Sequence, residues 1–203
     1  MIEHGRKLPR EYDHPFDSYI LYPFSYIDKI LYKLHVTPNM LTTASTLFGI
    51  LCIYALYHSR FLEASIYCAL YYMFDCYDGY FARKYNMITE FGDYYDHVKD
   101  LLFIIAFSIV FLMNSNVSKD FKYIILFIFI GLSVLSLKYF GCQEKYHKTP
   151  TATTKSLLKW CADTSELSVL RFFSPTTLMT LLIVVLLYLH INNKHIPCEL
   201  NFN

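Results

Sequence analysis

"DCYDGYFARKYNMITEFGDYYDHVKD", residues 75–100, is the stretch of sequence that decides the fold. It places Asp75 and Asp78 at the end of one apolar run, and Asp96 and Asp100 at the beginning of the next. Ionisable side chains inside a membrane cost free energy and usually have a function. Because both flanking runs have the character of membrane helices, the stretch predicts a helix pair that carries carboxylates at or inside the membrane boundary.

The composition of the chain is that of a membrane protein. Of its 203 residues, 55% are hydrophobic and only 17% are charged, which predicts one membrane-embedded domain over residues 1–203. The formal net charge of +1 argues against nucleic acid as a partner. The six cysteines include no CxxC pair, so we expect neither a disulfide framework nor a zinc site. Residues 1–16 lack the apolar core of a signal peptide, so insertion should begin with the first span.

Residues 1–37 are predicted to form a cytoplasmic segment that contains an amphipathic helix. Within residues 15–34, apolar side chains recur three or four positions apart, while Asp28 and other polar side chains take the opposite side. The apolar set consists of Phe16, Tyr19, Ile20, Phe24, Ile27, Leu31 and Leu34. We expect this helix to lie on the membrane surface, with packing on a soluble core as the alternative.

The remainder of the chain predicts an all-α, polytopic transmembrane helix bundle over residues 38–193, followed by a tail, residues 194–203. Thr37 and Pro38 supply an N-cap and a first-turn proline for the first span. The second run crosses a bilayer of about 30 Å only if its helix continues through Asp75 and Asp78. Residues 156–173 could form a loosely amphipathic helix, which leaves a sixth span open. The five clear spans are residues 40–57, 61–78, 101–113, 123–137 and 176–191.

The lysines and arginines predict the orientation of the bundle. Leaving aside Lys99, which lies within the third span, 13 of them fall on the side of the N-terminus and the acidic motif. The other side has four, namely Arg60, Lys119, Lys122 and Lys194. Because cytoplasmic loops carry an excess of lysine and arginine, the N-terminus and the motif are expected to face the cytoplasm.

The spacing of the carboxylates predicts a metal site. In a helix, Asp75 and Asp78 share one face, and so do Asp96 and Asp100. Four ionised carboxylates would repel one another, and burial near hydrocarbon adds a desolvation cost. Three cations within the stretch, Arg83, Lys84 and Lys99, could neutralise part of the charge. One or two divalent ions with oxygen ligands, Mg²⁺ or Mn²⁺, would neutralise the rest and could also hold substrate phosphates.

The complete motif resembles the signature of the CDP-alcohol phosphotransferase family, membrane enzymes that make phosphodiester bonds in phospholipids. Eight fixed positions match over 26 residues, and the order of the predicted helices also matches as far as about residue 140. The matching pattern is Asp75-x₂-Asp78-Gly79-x₂-Ala82-Arg83-x₈-Gly92-x₃-Asp96-x₃-Asp100.

The resemblance implies a role for each position of the motif. Asp75, Asp78 and Asp96 would ligate two metal ions, and Asp100 would lie near the second ion and act as the general base. A CDP pocket would be shaped or contacted by Gly79, Ala82, Arg83, Gly92, Asn39 and Thr42.

The resemblance also implies an activity, in which a phosphatidyl group or phospho-head-group moves from a CDP-linked donor to an acceptor alcohol and CMP is released. At least one substrate would be a lipid, and the assembly could be a homodimer. The membrane would be the endoplasmic reticulum in a eukaryote or the cell membrane in a bacterium. Asp96-His97 resembles the choline and ethanolamine branch, whereas the length resembles the phosphatidylinositol and phosphatidylglycerophosphate synthase branches, so the acceptor stays open. A cation or proton transporter is the alternative function, although its carboxylates would usually be spread over several spans.

Overall fold

A computed structural model describes residues 5–147 and 155–193 of the protein, and these ranges contain helices but no strand. Among the described residues between the last two long helices lie three 3₁₀ helices, at Lys155–Trp160, Thr164–Glu166 and Arg171–Phe173. The predicted tail, residues 194–203, lies outside the described residues, and so does Lys148, one of the 13 lysines and arginines counted on the motif's side. The α-helices are α1 (Asp17–Lys33), α2 (Pro38–Tyr57), α3 (Phe61–Lys84), α4 (Glu90–Met113), α5 (Lys119–His147), α6 (Leu167–Leu170) and α7 (Pro175–Asn193).

The five predicted spans correspond to α2, α3, α4, α5 and α7, and each helix is longer than the run that predicted it. By length and composition, three described stretches are apolar enough to cross a membrane, namely Pro38–Tyr57, Lys119–His147 and Thr164–Asn192. Because α3 and α4 carry the acidic motif, their crossing of the membrane stays a prediction. The expectation of one helix over residues 156–173 is wrong, since this segment is divided into 3₁₀ turns and the four-residue α6.

The bundle is organised around α3, which packs against α1, α2 and α7. Helix α2 also packs against α4. Helix α5 packs against α7 and against residues 155–173. The contact of α2 with α3 depends on small residues, because a Cβ at Gly49 would come within 3.0 Å of the Tyr71 ring. Small residues at such contacts let helix backbones approach closely, which favours helix association within a membrane.

Helix α1 lies within the segment for which an amphipathic helix was predicted, but its buried face differs from the predicted one. Phe24 is buried against α3, whereas Tyr19, Ile27 and Leu34 of the predicted apolar face are exposed. Asp28, which the sequence predicts on the polar side, is completely buried and forms an ion pair with Lys84 of α3. Packing against α3 therefore decides which face of α1 is buried. Whether its exposed side lies on a membrane surface stays a prediction.

The expectation that the chain contains no disulfide is wrong, because Cys142 of α5 and Cys161 form one, with their Cα atoms 4.9 Å apart. The bond closes a sequence separation of 19 residues and ties the irregular segment to the end of α5. Leu8 of the N-terminal segment packs into the same small cluster, together with Leu167 and Leu170. No local spacing signals this pairing, since it depends on how residues 155–173 fold back onto α5.

Candidate functional site

The acidic motif lies where α3 ends and α4 begins. The amide of Met87 donates to the carbonyl of Ala82 (2.8 Å), and Asn86 has a φ of 54°, the left-handed conformation that commonly ends a helix. Three residues later Thr89 caps α4, with its hydroxyl accepting from the amide of Gly92 at 3.0 Å. The short turn reverses the chain, so the last turns of α3 and the first turns of α4 lie at the same end of the bundle.

Three of the four predicted ligands come together at this end. One carboxylate oxygen from each of Asp75, Asp78 and Asp96 lies within 4.8 Å of the others. Asp78 is buried, and its Oδ2 accepts a hydrogen bond of 2.6 Å from the hydroxyl of Thr42 in α2. Carboxylate oxygens are the donors that hard divalent ions prefer, so this group fits a divalent metal ion.

Lys99 lies at the centre of the carboxylates. Its ammonium forms ion pairs with Asp75, with Asp96 at 2.9 Å and with Asp100 at 3.1 Å. Its side chain is only 3% exposed. The sequence predicted that Lys99 could neutralise part of the motif's charge, but it did not predict contact with three carboxylates at once.

The other two predicted counter-ions have different partners. Lys84 pairs with Asp28 of α1. Arg83 Nε donates to the backbone carbonyl of Gly5 at 2.8 Å, which links the N-terminal segment to α3. These interactions extend the polar network away from the carboxylates and toward the N-terminus.

Asp100 lies at the edge of the cluster and is accessible from outside. Its Oδ1 accepts a hydrogen bond of 2.6 Å from the Tyr71 hydroxyl and also pairs with Lys99. The side chain is 38% exposed, against 19% for Asp75. Asp100 therefore combines fixed hydrogen-bonding partners with an open side, an arrangement suited to receiving a proton from a substrate.

The residues expected to contact CDP lie on α2, α3 and α4, the helices that carry or contact this cluster. Asn39 of α2 and Gly92 of α4 are neighbours, since a Cβ at Gly92 would lie 3.0 Å from Asn39 Oδ1. Gly79 leaves room for the Arg83 guanidinium, which lies 3.1 Å from the position of its missing Cβ. The absence of a side chain at Gly92 and Gly79 thus allows the Asn39 amide and the Arg83 guanidinium to lie close to the helix backbone. Ala82 is half-buried on the same helix.

Thr42 has a role in the structure that sequence reasoning did not predict. It is 2% exposed, and its hydroxyl donates to Asp78. The side chain therefore orients a predicted metal ligand, and its expected contact with the cytidine stays a prediction. Tyr71 also has a role that sequence reasoning did not predict, since it is 1% exposed and its hydroxyl donates to Asp100. Its position four residues before Asp75, on the same helix face, was the signal that could have revealed this.

Comparison with known proteins gives a match over most of the chain. The sequence pattern of the CDP-alcohol phosphatidyltransferase family matches residues 35–201. A protein of Rickettsia felis named CDP-diacylglycerol--glycerol-3-phosphate 3-phosphatidyltransferase is 35% identical over 85 residues, 40% of this chain and 47% of that protein. The Rickettsia typhi protein of the same name is 33% identical over 85 residues, 40% of this chain and 48% of that protein. The matched segment thus spans about half the length of these relatives. No solved structure is significantly similar to the chain.

Proposed function

This chain belongs to the CDP-alcohol phosphatidyltransferase family, and we propose that it transfers a phosphatidyl group from CDP-diacylglycerol to an acceptor alcohol with release of CMP. The observation that carries the proposal is the grouping of Asp75, Asp78 and Asp96 within 4.8 Å, with Asp100 beside them. The other four positions of the family signature lie on α3 and α4, the helices that carry these carboxylates. The carboxylates are gathered at one end of the bundle, which favours a transferase over the alternative of a cation or proton transporter.

The reaction forms a bond between the acceptor oxygen and the phosphorus of the phosphatidyl group, and it breaks the bond from that phosphorus to CMP. Asp100 accepts the proton of the acceptor hydroxyl, while Tyr71 and Lys99 hold its Oδ1 in place. Asp75, Asp78 and Asp96 would hold Mg²⁺ or Mn²⁺, and Thr42 orients Asp78 among them. When bound, the metal supplies charge neutralisation for the diphosphate of the donor. Asn39, Gly79, Ala82, Arg83 and Gly92 would form the CDP pocket.

Glycerol 3-phosphate is the acceptor to test first, because the Rickettsia proteins are named for it. The donor would reach the site sideways from the bilayer, and the acceptor would enter from water. This arrangement accounts for a site at the end of the helices, where both phases are within reach.

The excess of lysine and arginine on the motif's side supports a cytoplasmic active site. Cys142 and Cys161 lie at the same end of the bundle as the motif and form a disulfide, which argues against a cytoplasmic site because cytosolic thiols are usually kept reduced. Alkylation with a maleimide in lysate prepared without a reductant decides between the two. Reaction of both cysteines would support the cytoplasmic orientation and contradict the disulfide, whereas protection of both until a reductant is added would support the disulfide and contradict this orientation.

The activity is tested by CMP release from the purified protein in detergent. The assay pairs CDP-diacylglycerol with glycerol 3-phosphate, inositol and inositol phosphate in turn, in the presence of Mg²⁺ or Mn²⁺ and with Asp96→Ala as the control. CMP release that needs donor, acceptor, metal and Asp96 would establish the reaction and identify the acceptor. A folded protein that binds Mn²⁺ and releases no CMP with any of these pairs would contradict the proposal.

A further inference from the structure

The four motif carboxylates form two overlapping groups, and each group surrounds one position for a cation. The first group is Asp75, Asp78 and Asp96, whose oxygens lie within 4.8 Å of one another. The second is Asp75, Asp96 and Asp100, and each of these forms an ion pair with the ammonium of Lys99. Asp75 and Asp96 belong to both groups. Lys99 thus contacts two of the three carboxylates of the first group and all three of the second, and Asp78 is the one carboxylate of the four with which it forms no ion pair.

Lys99 is held in this position from several sides. Its ammonium donates hydrogen bonds to Asp75, Asp96 and Ser45, and it also forms an ion pair with Asp100. Ser45 Oγ lies 3.5 Å away, and the centre of the Tyr71 ring lies 5.1 Å away. Because its side chain is 3% exposed and its backbone belongs to α4, the ammonium cannot leave for water without repacking its surroundings.

The charge balance of the cluster favours one metal ion in addition to Lys99. Four ionised carboxylates with Lys99 have a net charge of about −3, and one divalent ion reduces this to about −1. If Lys99 stayed in place, a second divalent ion would make the cluster positive before any substrate binds. If the ion displaced Lys99 instead, it would break three ion pairs of a buried ammonium, which is strongly destabilising.

We infer that Lys99 takes the place of a second divalent ion, so that the centre binds a single ion per chain, between Asp75, Asp78 and Asp96. This inference rests on the proposed function and revises the expectation of two ions. Lys99 then acts as a positioning residue, which holds Asp75, Asp96 and Asp100 together whether or not the metal is bound.

The test is the number of Mn²⁺ ions bound per chain, measured by equilibrium dialysis with electron paramagnetic resonance. We expect the wild-type protein to bind one ion, and Lys99→Met to bind two with magnetic coupling between them. Lys122→Met is the matched control, because Lys122 is also a buried lysine but donates to the carbonyl of Leu112 at 2.8 Å, at the other end of the bundle. This control should still bind one ion.

Other outcomes overturn the inference in distinguishable ways. Two coupled ions in the wild-type protein would show that Lys99 fills no metal position, while leaving the proposed function intact. One ion in both the wild-type protein and Lys99→Met would show that Lys99 is not what excludes the second. No ion in either protein would overturn the metal centre of the proposed function as well. If Lys99→Met does not fold, the wild-type count still decides, since two ions contradict the inference and one supports it.

Discussion

The two halves of α4 use the same helix face for opposite purposes. Near its N-terminus the inward stripe consists of Asp96, Lys99 and Asp100, while farther along it consists of aromatic rings, Phe103, Phe107 and Phe111. Successive rings lie 5.8 and 6.1 Å apart. In the aromatic half, burial and ring packing favour the fold directly. In the charged half, the folded protein must keep repelling carboxylates together, which implies that function rather than stability accounts for them.

Tyr71 of α3 joins the two halves. Its ring stacks on Phe103 with the centroids 4.1 Å apart, and its hydroxyl donates to Asp100 at 2.6 Å. Packing of Tyr71 on Phe103 therefore positions the Tyr71 hydroxyl beside Asp100, where the aromatic half of α4 meets the charged half. This comparison predicts that substitutions in the charged half change activity and metal binding, whereas substitutions in the aromatic half change stability.

The largest effect is expected for Asp96→Ala, which removes a carboxylate shared by both cation positions. CMP release should fall by at least about a thousandfold, because charge stabilisation at the reacting phosphorus is lost. The thermal unfolding temperature of the metal-free protein should change little, because relief of repulsion among the carboxylates offsets the loss of one of the three ion pairs of Lys99. Metal-dependent turnover near the wild-type rate in this variant would contradict the claim that the charged half of α4 is needed for activity.

Asp100→Asn should reduce the turnover rate by about a hundredfold to a thousandfold, because the amide cannot accept the proton of the acceptor hydroxyl. Donor affinity should change much less, since the Asp75, Asp78 and Asp96 group stays intact. Single-turnover kinetics combined with CDP-diacylglycerol binding separate the two quantities. A variant with normal turnover would leave Asp100 without its proposed role.

In the aromatic half, Phe107→Ala should decrease the free energy of unfolding by about 3 kcal/mol, because it leaves a cavity between Phe103 and Phe111. CMP release per folded molecule should remain within about twofold of wild type. Denaturant titration in detergent measures the stability, and the active fraction is normalised to folded protein. If turnover falls while stability is unchanged, the aromatic half contributes to catalysis and the comparison is wrong.

The smallest effect is expected for Thr42→Val, which removes the hydrogen bond to Asp78 and nearly preserves the side-chain volume. Hydrogen-bonding partners that orient a metal ligand typically contribute about tenfold to a hundredfold in metal affinity, and we expect the lower end here. Mn²⁺ titration gives the affinity directly. The matched control is Thr46→Val, whose hydroxyl donates to the carbonyl of Thr42 within the same helix at 2.8 Å and contacts no carboxylate. Equal losses in both variants would show a general effect on α2.

Much of the fold could be predicted from the sequence because the relevant signals are local. Apolar runs predicted all five long helices of the bundle, and the N-cap and proline at Thr37 and Pro38 marked where α2 begins. Packing decided the features that were missed. Asp28 is buried because Lys84 meets it from another helix, and Cys142 reaches Cys161 only after residues 155–173 fold back.

The same division applies to the candidate site. Spacings of three and four residues by themselves determined that Asp75 and Asp78 share a face, as do Asp96 and Asp100, because the helical period of 3.6 residues fixes this. Which of these carboxylates share a cation was decided only by the tertiary structure. The sharing of a cation depends on how α3 and α4 are positioned relative to each other along their axes, and both helices pack against α2. Only that relative position brings the flexible side chain of Lys99 to three carboxylates from two helices.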